Sequence, residues 1–184
     1  ICILPMLAKD INFCSIDFLS NFLKSDLYII FGSSFIKGEL VDFLIDNEAI
    51  NIHTGISPYY RGTDCNFWAI HDKNPHLVGA TIHMLSKGLD SGNILYHAIP
   101  KYNKNIFDYT MSSVMAAFYS ITERIQNNQI KKIISKKQNK NYEIRYSKKK
   151  DFKDTSILEF NKNIEGINFN KYTDKLFKDP FFLN

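Results

Sequence analysis

This sequence has few cysteines, and it has neither a long apolar run nor a basic leader. Three cysteines among 184 residues, with no Cys-x-x-Cys spacing, argue against a disulfide framework and a structural zinc site and favour a reducing compartment. No apolar run approaches the roughly 20 residues of a membrane span, and residues 1–7 lack the basic flank of a signal peptide. We therefore expect a soluble protein without membrane contact, with the cytoplasm as its location.

The composition is globular, with 45% apolar and 14% aromatic residues, and the length suits a single domain with its own core. The net charge of +4 is local, because residues 131–150 hold nine Lys and Arg against one acid, Glu143, and leave the rest net acidic. Such a run is typical of a solvated surface or a mobile connection. Contact with an anion or nucleic acid is the alternative.

Apolar periodicity predicts an α/β fold with a parallel or mixed sheet. Residues 27–31 are a continuous apolar run that ends at a Gly-Ser-Ser turn, which predicts a strand buried on both faces. Helical spacing over 35–45 and strand character over 49–53 complete a strand–helix–strand unit. The later predicted elements are a short helix after Thr63 or Asp64, strands over 78–85 and 94–99, a long amphipathic helix from Phe107 to Ile125, and a short helix over 154–161.

Polar side chains lie at the carboxyl ends of the predicted strands, which is where α/β sheets bind their ligands. Asn51 and His53 are two residues apart in a strand and so project from the same face, and Asp90 lies in a second turn. A histidine oriented by a carboxylate can transfer a proton, and an amide N–H can stabilise an oxygen that gains negative charge. The three residues are therefore candidate catalytic groups.

No Ser or Cys is placed as an obvious nucleophile, which favours direct transfer between two bound substrates over a covalent intermediate. Each polar residue taken alone is equally typical of a turn or of packing. A metal site built from His53, His83 and Asp90 is a further alternative. Its spacing matches no standard zinc pattern, and we predict no metal.

Three separated segments resemble motifs of the formyltransferase family, and they occur in the same order along the chain. They are Asn51-Ile52-His53 with Pro58, Arg61 and Gly62, then residues 79–83, then Asp90-Ser91-Gly92. That family includes methionyl-tRNA, glycinamide ribonucleotide and nucleotide-sugar N-formyltransferases. The resemblance implies a Rossmann-like domain with a mostly parallel sheet that binds 10-formyltetrahydrofolate and transfers its formyl group to an amine. Asn51, His53 and Asp90 would be the catalytic set.

The resemblance also implies that folate lies against the turn after the first strand and the loop before Asp90. The implied contacts are Gly32, Ser34, Phe35, Ile36, Ser86, Lys87, Gly88 and Leu89. Residues 55–58 depart from the Ser-Leu-Leu-Pro of many members, and no opening strand with a glycine-rich turn precedes Asp26. We therefore expect residues 1–130 to be an N-terminally incomplete catalytic domain and 131–184 a basic, less regular extension packed on it.

The aromatic-rich segments 59–62 and 66–68 resemble nucleotide-sugar N-formyltransferases and predict an amino-sugar acceptor for surface polysaccharide, such as lipopolysaccharide. The predicted acceptor contacts are Tyr59, Tyr60, Arg61 and Trp68, although Phe67 and Trp68 are equally typical of a helix core. One alternative is methionyl-tRNA formyltransferase-like activity, with the basic run on phosphates but no room for that enzyme's C-terminal barrel. Another is a truncated, non-catalytic binding domain. The sequence is compatible with a homodimer.

Overall fold

The computed structural model describes residues 3–7 and 9–168 as six strands and five α-helices with short 3₁₀ turns between them. The strands are β1 (Ile29–Phe31), β2 (Ile50–His53), β3 (Tyr60–Gly62), β4 (Ala80–Met84), β5 (Ile94–Ala98) and β6 (Arg145–Ser147). The helices are α1 (Ile16–Leu19), α2 (Glu39–Asp46), α3 (Cys65–His71), α4 (Ile106–Gln126) and α5 (Asp154–Glu165). Within these residues no helix combines the length and apolar character of a bilayer span.

Four strands form a mixed sheet in the order β1-β2-β4-β5. The β1–β2 pair is parallel, whereas β2–β4 and β4–β5 are antiparallel. Residues 85–93 are too short for the crossover of a dozen or more residues that a parallel β4–β5 pair requires. The predicted α/β class is confirmed, and the described sheet is mixed rather than purely parallel.

Strand alternation divides β2 between the core and the site. Ile50 and Ile52 are almost fully buried and pack in one cluster with Ala117 and Ile121 of α4. Asn51 and His53 therefore project from the opposite face of the strand. The alternating apolar and polar residues of β2 thus place two polar side chains on the face of the strand that points away from the core.

Two predicted elements differ from the structure. The first strand is buried on one face only, because Ile30 packs beside α2 while Ile29 and Phe31 at the edge of the described sheet are 40% and 43% exposed. Helix α2 begins at Glu39 rather than near residue 35. Gly38 precedes it with a φ of 68°, a backbone conformation that a helix cannot contain.

A second, two-stranded sheet was not predicted from the sequence. Strands β3 and β6 pair in parallel, with Gly62 opposite Ser147. A Cβ at Gly62 would lie 1.9 Å from the Ser147 carbonyl oxygen, so only glycine permits this approach. Helix α5 packs on α3, where Phe67 and Phe160 stack with ring centroids 4.6 Å apart. The predicted irregular end of the extension, from residue 169 onward, lies outside the described residues.

Replacing Ile82 with Ala should lower the free energy of unfolding by about 2 to 5 kcal/mol, because this fully buried side chain lies in the middle of the sheet. Urea unfolding followed by circular dichroism measures the change. Ile134→Ala is the matched control, because Ile134 is 85% exposed and its loss should cost less than about 0.5 kcal/mol. Equal losses in the two variants would contradict this description of the core.

Candidate active site

The structure brings Asn51, His53 and Asp90 together beside the β2–β4 pair. His53 Nδ1 lies 3.4 Å from Asp90 Oδ1, and both side chains are buried, with 7% and 9% exposure. The second carboxylate oxygen of Asp90 accepts the backbone N–H of Gly62 at 3.4 Å. His53 Nε2 faces the Tyr60 carbonyl oxygen at 3.3 Å. An imidazolium can donate to both acceptors at once, whereas the neutral ring donates to only one.

His83 is a site residue whose role the sequence did not assign. The antiparallel register of β4 sets it opposite Asn51. Its Nδ1 lies 2.8 Å from the Met84 carbonyl oxygen, which only accepts, so Nδ1 carries the proton. His83 Nε2 then accepts a hydrogen bond from Asn51 Nδ2 at 3.0 Å. This contact fixes which end of the Asn51 amide is the donor and leaves its second N–H for another acceptor.

Burial keeps His83 neutral. It lowers the pKa of His83 from its ordinary value near 6.5 to about 4, and the neighbouring His53 acts in the same direction. A neutral imidazole is the form that accepts from the Asn51 amide, so burial and hydrogen bonding favour the same state. The sequence signal for this role was strand alternation, since residue 83 follows Thr81 on the same face of β4.

His53, His83 and Asp90 approach one another, with His83 Nε2 3.9 Å from Asp90 Oδ1. Within residues 3–7 and 9–168, however, no group of three or more His, Cys, Asp or Glu side chains has an arrangement able to hold a metal ion. Cys65 Sγ also lies 3.5 Å from His53 Nε2. Burial raises the pKa of this thiol well above its ordinary range, so it is a poor candidate for a nucleophile.

A cavity of about 870 Å³ joins these groups to two distinct walls. One wall is formed by the turn after β1 and the loop before Asp90, and it contains seven of the eight predicted folate contacts. They are Gly32, Ser34, Phe35, Ile36, Ser86, Gly88 and Leu89. The prediction for Lys87 is wrong, because Lys87 does not line the cavity. Its side chain is 71% exposed and its Nζ is 2.5 Å from Asp42 Oδ1.

The second wall comes from the starts of α3 and α4 and from the chain around α5. Its aromatic and apolar members include Phe67, Phe107, Met111, Phe152 and Phe160. Among the described residues that line the cavity, none is Lys or Arg. This wall therefore suits an uncharged ring, and it was not predicted, because Phe107 was assigned to an amphipathic helix and Phe152 to a region of weak pattern.

None of the four predicted acceptor contacts lines the cavity, and the assignments of Tyr60 and Trp68 are wrong. Tyr60 and Trp68 are buried in the core beneath β3 and α3, with 0% and 3% exposure. Tyr59 stacks on Tyr142. Arg61 donates hydrogen bonds to the Leu89 carbonyl oxygen and to Glu143. Tyr60 and Trp68 are therefore packing residues, whereas contact of the half-buried Tyr59 and Arg61 with a part of the acceptor outside the cavity stays a prediction.

An α/β domain with an amide, an imidazole and a carboxylate at one large cavity defines a candidate group-transfer enzyme. The family model described as formyl transferase matches residues 21–119, more than half of the chain. The chain therefore belongs to the formyl transferase family. The family assignment inferred from Asn51, His53 and Asp90 is confirmed.

Solved structures of formyltransferases are similar to this chain. PseJ from Anoxybacillus kamchatkensis, in complex with UDP-4,6-dideoxy-4-formamido-L-AltNAc and tetrahydrofolate, matches with a TM-score of 0.57 and 25% identity over 80% of this chain and 72% of that chain. A 4-N formyltransferase from Francisella tularensis matches at 0.55 and 22%, over 80% and 65%. Methionyl-tRNA formyltransferase from Clostridium thermocellum matches at 0.54 and 13%, over 84% and 67%. The last two likenesses show the fold alone.

Acidification should remove the stabilisation that neutral His83 provides. Because the pKa of His83 is about 4 in the folded chain and near 6.5 when unfolded, the unfolded chain binds more protons between these values. Its contribution is complete above pH 6.5 and is lost as the pH falls towards 4. Between about pH 7 and pH 5, the free energy of unfolding should fall on the order of 2 kcal/mol more in wild type than in His83→Gln.

Urea unfolding at a series of pH values measures this difference, and the comparison cancels the titrating groups that do not interact with His83. The same pH slope in both proteins would show that His83 is not held neutral by the fold.

Proposed function

We propose that this chain transfers a formyl group from 10-formyltetrahydrofolate to the amine of an amino sugar that is linked to a nucleotide. The observation that carries the proposal is that Asn51, His53 and Asp90 line one cavity together with the turn and loop expected to hold the folate. The chain's membership of the formyl transferase family supports formyl transfer as the reaction. A role in surface polysaccharide synthesis in the cytoplasm stays a prediction.

The wall formed by the turn after β1 and the loop before Asp90 suits a folate in size and chemistry. A cavity of about 870 Å³ is within the range of cofactor sites, which are mostly apolar with a few placed polar groups. Here the apolar part comes from side chains such as Phe35, Ile36 and Leu89, and the polar part from Ser34 and Ser86. The similar PseJ structure contains tetrahydrofolate.

In the proposed reaction the acceptor amine attacks the formyl carbon. A new C–N bond forms, and the formyl oxygen gains negative charge. The free N–H of Asn51 would donate to this oxyanion, with its direction already set by His83. His53 would take up the amine proton at Nε2, where the amine replaces the contact with the Tyr60 carbonyl oxygen, and return it to the departing folate nitrogen as the old C–N bond breaks. Asp90 stabilises the imidazolium between these two steps.

The second wall, which contains Phe107 and Phe152, favours a sugar ring over a charged group at the reacting end of the acceptor. Phe107 and Phe152 are 72% and 39% exposed and line the cavity, and aromatic faces suit the apolar faces of sugar rings. Cavity-lining Lys and Arg are missing from the described residues, so a diphosphate would have to lie outside it. Lys148, Lys149 and Lys150 are exposed and close in sequence to Phe152, and they provide positive charge on that side.

Formyl transfer is tested with 10-formyltetrahydrofolate and a panel of nucleotide-linked amino sugars, with the N-formyl product detected by mass spectrometry. Replacing His53 with Ala should lower turnover about 10²- to 10⁴-fold, because proton transfer is lost. Tetrahydrofolate affinity, measured by calorimetry, should change little. His76→Ala is the control, because His76 does not line the cavity. If wild type binds the folate but formylates no amine, the chain is a non-catalytic binding domain.

A tRNA acceptor is the alternative that the basic residues 131–150 favour. Binding to tRNA releases counterions, so its affinity should fall steeply as salt rises, whereas nucleotide-sugar affinity should fall much less. We expect weak tRNA binding and no formylation of methionyl-tRNA. Tight, strongly salt-sensitive tRNA binding with formyl transfer would overturn the amino-sugar proposal.

A further inference from the structure

The loop that carries Asp90, residues 85–93, is held by side chains from outside it. Gln138 Nε2 donates both of its hydrogens, one to the Asp90 carbonyl oxygen at 2.9 Å and one to the Gly92 carbonyl oxygen at 2.7 Å. Arg61 Nη2 donates to the Leu89 carbonyl oxygen at 2.6 Å. Three carbonyl groups of the Asp90 loop thus depend on two distant side chains.

Both side chains are themselves anchored in the segment that follows α4. Lys136 forms two backbone hydrogen bonds of 2.8 Å with Ile94, which fix the chain two residues before Gln138. Glu143 accepts a hydrogen bond of 3.0 Å from Arg61 Nη1. Gln138 is half-buried although Lys137 and Asn139 beside it are exposed. The segment from 136 to 143 therefore lies along the Asp90 loop as a clamp.

The Asp90 loop needs such a clamp because its backbone is strained and closely packed. Asp90 has a φ of 45°, in the left-handed region that residues other than glycine rarely adopt. At Gly92 an added Cβ would lie 1.7 Å from the Met84 carbonyl oxygen, so the turn runs directly against the end of β4. The 3.4 Å contact between Asp90 and His53 depends on this backbone position.

We infer that Gln138, together with Arg61, is a positioning residue that holds the Asp90 carboxylate against His53 through the backbone of the Asp90 loop. The inference rests on the proposed function for its effect on catalysis, whereas its effect on the loop does not. It makes the segment after α4 part of the catalytic unit. The domain boundary expected near residue 130 would then not separate the catalytic domain from an independent extension, because both sides of it contribute to the site.

The test compares Gln138→Ala with wild type in two measurements. Hydrogen exchange read by mass spectrometry should be faster in residues 85–93 and unchanged in β5, because only the loop loses its donors. With formyl donor and acceptor, kcat should fall roughly tenfold, the effect of losing one or two net hydrogen bonds. Lys137→Ala is the matched control, since its exposed side chain is adjacent in sequence to Gln138, and it should change neither measurement.

A second variant gives a signature that a merely structural role would not produce. Gln138→Glu sets a carboxylate against two carbonyl oxygens, and protonation of that carboxylate restores one donor. The ratio of variant to wild-type kcat should therefore rise as the pH falls from about 8 to about 6, while the ratio for Gln138→Ala stays flat.

Unchanged exchange in residues 85–93 of Gln138→Ala would overturn the inference, whether or not the wild type transfers formyl groups. Wild-type activity together with normal kcat in both Gln138 variants would overturn it while leaving the proposed function intact. Faster loop exchange in Gln138→Ala, combined with a wild type that formylates nothing, would retain the clamp and refute the proposed function.

Discussion

The antiparallel pairing of β2 with β4 is the constraint on which the site depends. Its register sets Asn51 opposite His83 and Ile52 opposite Ile82, so one face of the pair is polar and the other apolar. A slip of one residue would exchange the two faces, burying the polar groups under α4 and exposing the isoleucines. The hydrophobic effect that fixes the sheet thereby also fixes the positions of the candidate catalytic side chains.

Burial then gives these polar groups their chemical states. Because the side chains of His53, His83 and Asp90 are buried, an unpaired polar atom on any of them is costly, and each has a partner in a defined orientation. His83 gives its proton to a backbone carbonyl and accepts from Asn51, and Asp90 faces His53 and the Gly62 N–H. The Asn51 donor is therefore oriented before any substrate arrives. Preorganised donors of this kind need no rearrangement when charge develops in a reaction.

The sequence predicted what depends on short-range pattern. Alternation in β2, the long helix α4 and the turn at Asp90 were recognisable, because each repeats a local period or turn composition. The β3–β6 pair was not, because each of its strands is three residues long and the partners lie more than eighty residues apart. The same pairing explains the error at Tyr60 and Trp68, since an aromatic residue has the same appearance in a sequence whether it lines a cavity or fills a core.

The extension matters to the site because its contacts begin at the residues that hold Asp90. Arg145 of β6 lies over the Trp68 ring at 4.4 Å and forms two hydrogen bonds with Asp72. Burial opposes ionisation of Asp72, but the hydrogen bonds from Arg145 and His71 outweigh it and lower the pKa of this carboxyl. The charged pair thus fixes β6 at the end of α3, and strand pairing joins β6 to β3. Strand β3 supplies both Arg61 and the Gly62 N–H to the Asp90 loop. A displacement of β6 would therefore move β3, and through it the position of the candidate catalytic carboxylate.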